Sequence, residues 1–433
     1  MYWQKDIECM DREELTQLQL ERLQATLFRV SRNVPLYRAR FEEHDIDPDS
    51  FLSVDDLTRI PFTTKADIRE NYPYGLFAVP LREVVRLHSS SGTSGRPVVV
   101  GYTRNDVKQW SDLDARILCM AGLDQDDVLQ IAFSYGLFTG GFGHHYGAER
   151  LGASVIPSSS GNTKKQLAIM QDYRTTALAC TPSYALHLAD VMEEEGINPN
   201  ALTLRWGLFG AEAWSENMRR EIESRLKITA TDNYGLSEIM GPGVAGECLE
   251  QGGLHVNEDA FLFEIVNPDT GEPVPDGEVG ELVITTLTKE AFPMVRFRTG
   301  DLTRRIVEPC PCGRTHHRIS RILGRVDDMI TIKGVNVFPS QVEQILMDAQ
   351  GAVPRFQIVV ERDAGHLDRA TIHLEVSESI LFDQMRESQE FLASLKKRLA
   401  SELGVGFEVS LVGKRTLPRG EEKMKRVIDK RSF

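Results

Sequence analysis

The chain has 433 residues, of which 41% are hydrophobic and 26% charged, and its formal net charge at pH 7 is −14. This length requires more than one domain, and the negative charge argues against non-specific binding to nucleic acid. No apolar run is long enough to span a bilayer, and the acidic N-terminus MYWQKDIECMDREEL does not resemble a signal or transit peptide. We therefore expect a globular cytosolic protein whose six cysteines are reduced.

The first predicted element is a helix. Asp11 and Glu14 have the spacing of an N-cap with a capping box, and apolar residues then recur at helical spacing up to Pro35. Residues 36–85 predict short helices and turns.

A stretch rich in serine and glycine follows, LHSSSGTSGRPVVVGY at residues 87–102. Glycines let several backbone N–H groups turn toward one anion, and hydroxyls add donors without bulk. The stretch is not a P-loop, because it lacks the G-x4-G-K-[ST] pattern. It predicts either a phosphate-binding loop or, as is common for such runs, a flexible connection. The residues concerned are Ser90, Ser91, Gly92, Thr93, Ser94, Gly95 and Arg96.

Between residues 103 and 231 short apolar runs alternate with helical patterns. Predicted strands are Val128–Phe133, Ala153–Pro157, Thr176–Cys180, Leu204–Phe209 and Ile228–Thr231; predicted helices are Lys164–Tyr173, Tyr184–Glu195 and Ser215–Leu226. Such alternation predicts an α/β fold with a doubly wound, mostly parallel sheet. Ligands of such sheets bind beyond the carboxyl ends of the strands, so residues after each strand are candidates for chemistry.

After residue 253 the pattern changes to period-two strands with tight turns, which predicts a small β-barrel-like layer over about 254–322. From Gly324 the order strand, helix, two strands, helix, strand predicts a small α+β domain. We therefore divide the chain into an N-terminal domain, 1–325, and a mobile C-terminal domain, 326–433.

Three cysteines and a histidine form a candidate metal site. Cys310 and Cys312 flank a proline, and Cys248 and His255 lie about 60 residues earlier. Three thiolates and an imidazole suit a closed, tetrahedral structural zinc site. His316 and His317 are spare candidates for the fourth ligand, and free surface thiols are the alternative.

Four further stretches join the loop at residues 87–102: NYGLSE from Asn233, RTGD from Arg298, GRVDDMI from Gly324 with KGV from Lys333, and PRGEEK from Pro418. Their order and spacing resemble the AMP-forming acyl-CoA synthetase superfamily. The wording of FSYGLFTGGFGHHYGAE, TTLTKEAFPMVRFRTGDL, DDMITIKGVNVFPSQVE and KMKRVIDKR is similar to its phenylacetate–CoA ligase family, from about Tyr37 to Arg431.

The resemblance implies roles for individual residues around ATP. Glu238 would hold Mg²⁺, which requires oxygen ligands, and Asp301 would accept both ribose hydroxyls. Tyr234 would stack on adenine, and Arg325 would contact ribose or phosphate. The loop at residues 90–96 would hold the phosphates. The remaining nucleotide contacts would come from Gly210, Ala211, Glu212, Asn233, Gly235 and Ser237.

The resemblance also implies a moving C-terminal domain. Asp327 matches the hinge, and Lys423 matches the lysine that reaches the reacting carboxylate. The sequence departs from the family at Glu422, where glycine is usual, so Lys425 is the alternative. It also has Val98 where many members of the superfamily have lysine, which leaves Arg96 as the nearby cation.

Aromatic and small residues at the strand ends predict an apolar pocket for the acid, since an aromatic ring is bound by area burial and edge contacts. The candidates are Tyr135, Phe138, Phe142, Ala211, Ile239 and Pro242. Any of these residues could equally belong to the core.

Together these features predict an AMP-forming ligase that joins an aromatic acid, phenylacetate first, to coenzyme A with ATP and Mg²⁺. The alternatives are transfer to a carrier protein or an amine, and a nucleotide-binding relative without turnover. The sequence leaves open whether the chain forms a homodimer.

Overall fold

The computed structural model describes residues 1–89, 97–328, 330–332, 335–347, 352–362, 368–376, 385–413, 416–417 and 426–430. The α-helices are Lys5–Glu8, Arg12–Asn33, Pro35–Glu43, Lys65–Glu70, Arg104–Met120, Gly140–Leu151, Thr163–Asp172, Pro182–Glu194, Glu216–Leu226, Pro339–Met347 and Met385–Leu403. None of these described helices is long and apolar enough to cross a membrane.

A nine-stranded sheet forms the centre of the N-terminal part. In spatial order its strands are Arg305–Ile306, Arg318–Ile319, Leu254–Val256, Gly241–Glu247, Thr229–Leu236, Trp206–Gly210, Ala177–Cys180, Val128–Ile131 and Ser154–Ile156. The last five are parallel and are joined by helices. Their apolar runs are buried, as expected of strands covered on both faces. The predicted α/β fold is confirmed.

The predicted β-rich unit forms a four-stranded antiparallel sheet of Phe261–Val266, Gly280–Thr286, Phe297–Thr303 and Gly324–Arg325. Three short strands within the predicted range 254–322 pair with the large sheet instead. The phosphate-loop candidate is flanked by a two-stranded antiparallel pair, Arg86–Ser89 and Val99–Tyr102.

The C-terminal part has its own sheet and its own core. The sheet order is Glu408–Val412, Asp368–Val376, Ala352–Arg362 and Val427–Asp429. Buried residues from the sheet and both helices, such as Phe356, Ile372 and Leu399, form one hydrophobic cluster. A separate smaller α+β domain is thus confirmed, whereas its boundary after residue 325 stays a prediction.

Two details differ from the sequence-based expectation. The first strand of the C-terminal domain, predicted as Met329–Lys333, is observed as Ile330–Ile332 and pairs with Val335–Val337 as a hairpin. The place at the sheet edge is taken by Val427–Asp429. Asp11 caps its helix by accepting a hydrogen bond from the backbone N–H of Glu13 rather than that of Glu14, so the predicted capping box is absent from this fully described helix.

Candidate active site

The carboxyl ends of the parallel strands lie at one edge of the large sheet, as the fold requires. The strand Thr229–Leu236 is longer than predicted and contains Asn233, Tyr234 and Gly235, which were expected to follow it. The extension arises because the next strand, Gly241–Glu247, turns back and pairs with it.

Asp301 lies at the centre of a group of charged side chains. Its Oδ2 accepts a hydrogen bond of 2.6 Å from the hydroxyl of Tyr234, and its Oδ1 accepts another from the Arg325 guanidinium. Burial and the neighbouring Asp301 charge raise the pKa of the Tyr234 hydroxyl, so it stays a donor. A carboxylate offers about four lone-pair sites, so Asp301 can accept further hydrogen bonds.

The hinge candidate Asp327 is held by two cations. Its Oδ1 accepts from Arg325 Nε at 2.9 Å, and its Oδ2 accepts from Lys65 Nζ at 3.0 Å. Burial opposes ionisation, but the hydrogen bond from Arg325 and the charges of both cations hold the pKa of Asp327 below its usual value. The sequence reasoning missed Lys65, which is placed here by the capping box of Thr64 and Asp67 at the start of its helix.

Glu238 lies in the same charged region but has no hydrogen-bonding or ion-pairing side chain among the described residues. Burial raises the pKa of its carboxyl, whereas the charges of Lys65 and Arg325 lower it. A half-buried carboxylate beside cations, whose only hydrogen bond among the described residues comes from its own backbone N–H, is chemically suited to bind a divalent cation.

The residues predicted to line the nucleotide have close contacts with one another. Gly210 and Asn233 are register partners, and a Cβ on Gly210 would lie 2.4 Å from the Asn233 carbonyl oxygen. A Cβ on Gly235 would lie 1.9 Å from the Gly241 carbonyl oxygen. Both glycines are therefore required by strand packing, which is a different reason from the approach of a ligand.

The loop after Gly210 has an unusual backbone. Ala211 has a positive φ of 67°, a conformation that is costly for alanine and is often found at functional sites. Glu212 accepts a hydrogen bond of 2.7 Å from the Ser183 backbone N–H at the neighbouring strand end. The Ser237 hydroxyl lies 3.1 Å from that of Thr139.

Several predicted residues lie outside the part of the chain that the structure describes. They are Ser90, Ser91, Gly92, Thr93, Ser94, Gly95, Arg96, Lys423 and Lys425.

Part of the predicted acid pocket is formed by aromatic rings in mutual contact. The rings of Tyr135 and Phe142 meet edge to face at 5.2 Å. Ile239 is fully buried, and Pro242 packs so closely on Gly143 that a Cβ there would lie 2.3 Å from the proline ring. Phe138 is 38% exposed and so forms a rim rather than a wall.

The structure brings the four predicted metal ligands together. One ligand atom from each of Cys248, His255, Cys310 and Cys312 lies within 4.8 Å of all the others. The Cys248 and Cys310 sulfurs are 3.7 Å apart, and Cys312 Sγ lies 3.4 Å from His255 Nε2. A tetrahedral zinc ion with bonds of about 2.3 Å to sulfur and 2.0 Å to nitrogen requires separations of about 3.8 and 3.5 Å.

The hydrogen bonding of the histidines agrees with this set of four. His255 Nδ1 lies 3.3 Å from the His316 carbonyl oxygen, an arrangement that leaves Nε2 free to bind a metal. The spare candidates are engaged elsewhere, since His316 Nδ1 faces the Val256 carbonyl and His317 Nδ1 faces Glu258.

Comparison with known proteins gives matches along the whole chain. Residues 42–288 match the AMP-binding enzyme family, and residues 334–431 match the AMP-binding enzyme C-terminal domain. The chain is 48% identical to a phenylacetate-coenzyme A ligase of Thermus thermophilus, with 100% of both chains covered. It is also 48% identical to that of Escherichia coli, over 99% of this chain and 97% of the other.

The fold is similar to that of 2-hydroxyisobutyryl-CoA ligase at 30% identity. A crystal structure of that protein in the postadenylation state matches with a TM-score of 0.93, covering 99% of this chain and 92% of the other. Its thioesterification state matches over the same shares, at 31% identity, with a TM-score of 0.73. With these matches over its full length, the chain belongs to the phenylacetate–CoA ligase family of AMP-binding enzymes.

Proposed function

We propose that the chain joins an aromatic carboxylic acid to coenzyme A with release of AMP and pyrophosphate, and that phenylacetate is the leading candidate for this acid. The acid carboxylate attacks the α-phosphorus of ATP and displaces pyrophosphate. The thiol of coenzyme A then attacks the carbonyl of the acyl-adenylate and displaces AMP. The observation that carries the proposal is the clustering of Glu238 and Asp301 with Arg325 and Lys65 at the strand ends, in a chain that shares 48% identity with phenylacetate-coenzyme A ligases.

The nucleotide would be held by the charged group. Asp301 would accept the ribose hydroxyls while Tyr234 and Arg325 hold its carboxylate in place. The ring of Tyr234, whose hydroxyl is fixed, would stack on adenine. The phosphates would be held by residues 90–96, and the base would lie against the loop of Ala211 and Glu212.

Glu238 would hold Mg²⁺, since its carboxylate is partly buried, lies near the cations Lys65 and Arg325, and has no side-chain partner among the described residues. When bound, the ion would neutralise charge on the phosphates of ATP. Burial raises the pKa of Glu238 in the protein alone, so a bound cation would also keep the carboxylate ionised.

The two steps would use two orientations of the C-terminal domain. The better match to a postadenylation structure than to a thioesterification structure supports the first orientation here. Arg355 of the C-terminal domain contacts Asp190 at 3.3 Å, and Asp190 also accepts from Arg225 at 2.9 Å. Asp327 would be the hinge, and Lys423 would stabilise the charge of the attacking carboxylate in this orientation.

A structural zinc ion would join Cys248, His255, Cys310 and Cys312, because their separations fit a tetrahedral site. The four ligands come from neighbouring strands at one edge of the large sheet and from the loop between Arg305–Ile306 and Arg318–Ile319. The ion would therefore stabilise that edge of the sheet.

Elemental analysis of protein purified without added metal tests the zinc proposal. We expect about one zinc per chain and a lower melting temperature after prolonged chelation, since structural zinc contributes to folding. The double variant Cys310→Ser/Cys312→Ser should lose both the metal and the stability. Protein without stoichiometric zinc, or a double variant with unchanged metal content and melting temperature, would contradict the zinc proposal and leave the cysteines as free thiols.

Pyrophosphate release over a panel of aromatic and short aliphatic acids tests the ligase proposal. We expect acid-dependent release with aryl acids and its loss in Glu238→Gln, whereas Glu278→Gln, at an exposed turn, should behave as the wild type. Release that needs no acid, or that survives in Glu238→Gln, would contradict the proposal. The cytosolic location and a homodimer stay predictions.

A further inference from the structure

Lys289 is a buried lysine that the proposed chemistry does not use. It lies in the connection between the strands Gly280–Thr286 and Phe297–Thr303 and is 1% exposed. Among the described residues no carboxylate oxygen lies within ion-pair distance of its ammonium, which contacts the sulfur of Met240 at 3.7 Å and the ring of Tyr102 at 3.4 Å from its centroid. A buried charge without a counter-ion is costly, so its presence requires a reason.

The nearby carboxylate of Asp106 is not a counter-ion that would explain the buried charge of Lys289. It favours the charged form of Lys289 electrostatically, but its oxygens accept hydrogen bonds from the backbone N–H groups of Thr103, Glu290 and Ala291. The ammonium is left with the face of the Tyr102 ring, which is a cation–π contact, and with the polarisable sulfur of Met240.

Behind Tyr102 lies a second ring that extends this contact. Tyr102 stacks on Trp110 with centroids 4.9 Å apart and planes 16° apart. The hydroxyl of Tyr102 donates to the Met240 carbonyl at 2.9 Å, and the indole N–H of Trp110 donates to the Pro242 carbonyl at 2.7 Å. Lys289 and the rings of Tyr102 and Trp110 thus form one column, and its two hydrogen bonds hold the backbone on both sides of Gly241.

The segment held in this way, Ile239 to Pro242, directly follows Glu238. Its first and last residues, Ile239 and Pro242, are two of the residues predicted to line the acid pocket. Its shape depends on the column, because Gly241 has a φ of +100° and a Cβ there would lie 2.6 Å from the Trp110 ring. His88 connects the column to the predicted pocket. Its ring centroid lies 5.6 Å from that of Tyr102 in the column and 5.4 Å from that of Phe142 in the pocket.

We propose that Lys289 is a positioning residue for the acid substrate: its ammonium fixes Tyr102 and Met240, and through them the segment Ile239 to Pro242. This inference rests on the proposed function, because that segment must line the acid pocket. An uncharged side chain of similar size could fill the space but could not hold the ring face and the sulfur together by charge. The ordinary alternative is that Lys289 only fills the core.

Steady-state kinetics of Lys289→Met at about pH 6, where the wild-type lysine is protonated, test the inference, with wild-type protein and the exposed-lysine variant Lys164→Met as controls. We expect the KM for the aryl acid to rise about tenfold, as for the loss of a desolvated cation–π contact. The KM for ATP should change much less, within about twofold of the wild type, because the hydrogen bonds of the column hold Met240 and Pro242 rather than Glu238 or Asp301. If Lys289 only filled space in the core, its replacement would not change the KM for the acid more than the KM for ATP.

A second variant covers the case in which Lys289→Met does not fold. Tyr102→Phe removes the hydrogen bond to the Met240 carbonyl and keeps the ring, so it should raise the KM for the acid by a smaller factor, again without a change for ATP. An unchanged acid KM, or equal increases for acid and ATP, in whichever of these variants folds would overturn the positioning role. A wild-type protein with no acid-dependent pyrophosphate release would instead remove the proposed function, and this inference with it.

Discussion

Replacing Lys289 by methionine should make the protein more stable near neutral pH, even though we expect it to weaken acid binding. Burial lowers the pKa of Lys289 from its usual 10.5 to about 7. At about 1.4 kcal/mol for each tenfold change, charging this amine in the folded protein costs on the order of 5 kcal/mol more than in the unfolded chain. Losing the contact with the Tyr102 ring removes about 2 kcal/mol of stabilisation. The net gain in the free energy of unfolding should be roughly 3 kcal/mol at about pH 6.

The pH dependence identifies the charge as the cause. Below the folded pKa the lysine is protonated in both states, so the wild type bears the whole cost. Between the folded and unfolded pKa values folding releases a proton, so wild-type stability rises with pH and the advantage of Lys289→Met shrinks. The advantage should be about 2 kcal/mol at about pH 9 and should fall below about 1 kcal/mol by about pH 10, close to the unfolded pKa.

Melting temperatures of both proteins at about pH 6 and about pH 10 provide the assay. Lys164→Met, at a lysine whose side chain is 73% exposed, should show neither the gain nor its pH dependence. An equal gain at both pH values would point to better packing rather than to charge. A loss of stability at both pH values would show that burial of the charge does not destabilise the wild type.

Three further predictions concern the two half-reactions. Lys423→Ala should abolish acyl-adenylate formation but leave thioester formation from synthetic acyl-adenylate largely intact; if both steps fall equally, Lys425→Ala is the variant to test next. Asp327→Pro should keep adenylation and lose thioester formation, because proline fixes φ near −65° where a hinge must change it, and retention of both steps would remove Asp327 as the hinge. Asp190→Asn, which removes the carboxylate shared by Arg225 and Arg355, should slow adenylation about fivefold, as expected for a partly buried ion pair; an equal effect from Glu193→Gln, an exposed partner of the same Arg225, would argue against the interdomain contact.

The order of elements in the parallel sheet could be predicted from the sequence, because buried strands such as Ala177–Cys180 appear as uninterrupted apolar runs between helical patterns. Their bounds differ from the prediction by a few residues. The strands Val335–Val337 and Val427–Asp429 were missed because each has only three residues, and pairing rather than local pattern defines them.

The metal cluster was predictable from residue type, since cysteine and histidine in a reduced protein have few other common uses. Its geometry was not, because it depends on the pairing of Arg318 with His255 across the sheet. Lys65 and Lys289 carry no motif, and each meets its partner far away in sequence, Asp327 in one case and Tyr102 in the other. Such contacts follow from tertiary packing alone.

The central claim is that one protein activates an aryl acid with ATP and passes it to coenzyme A. The most direct test is to incubate the purified protein with phenylacetate, ATP and Mg²⁺, and to quantify AMP and thioester with and without coenzyme A. We expect AMP and phenylacetyl-CoA to form in equal amounts and only when acid and coenzyme A are both present; without coenzyme A, a single turnover should release pyrophosphate and leave the acyl-adenylate bound. AMP formation that proceeds without any thioester, or that is independent of the acid, would contradict this claim.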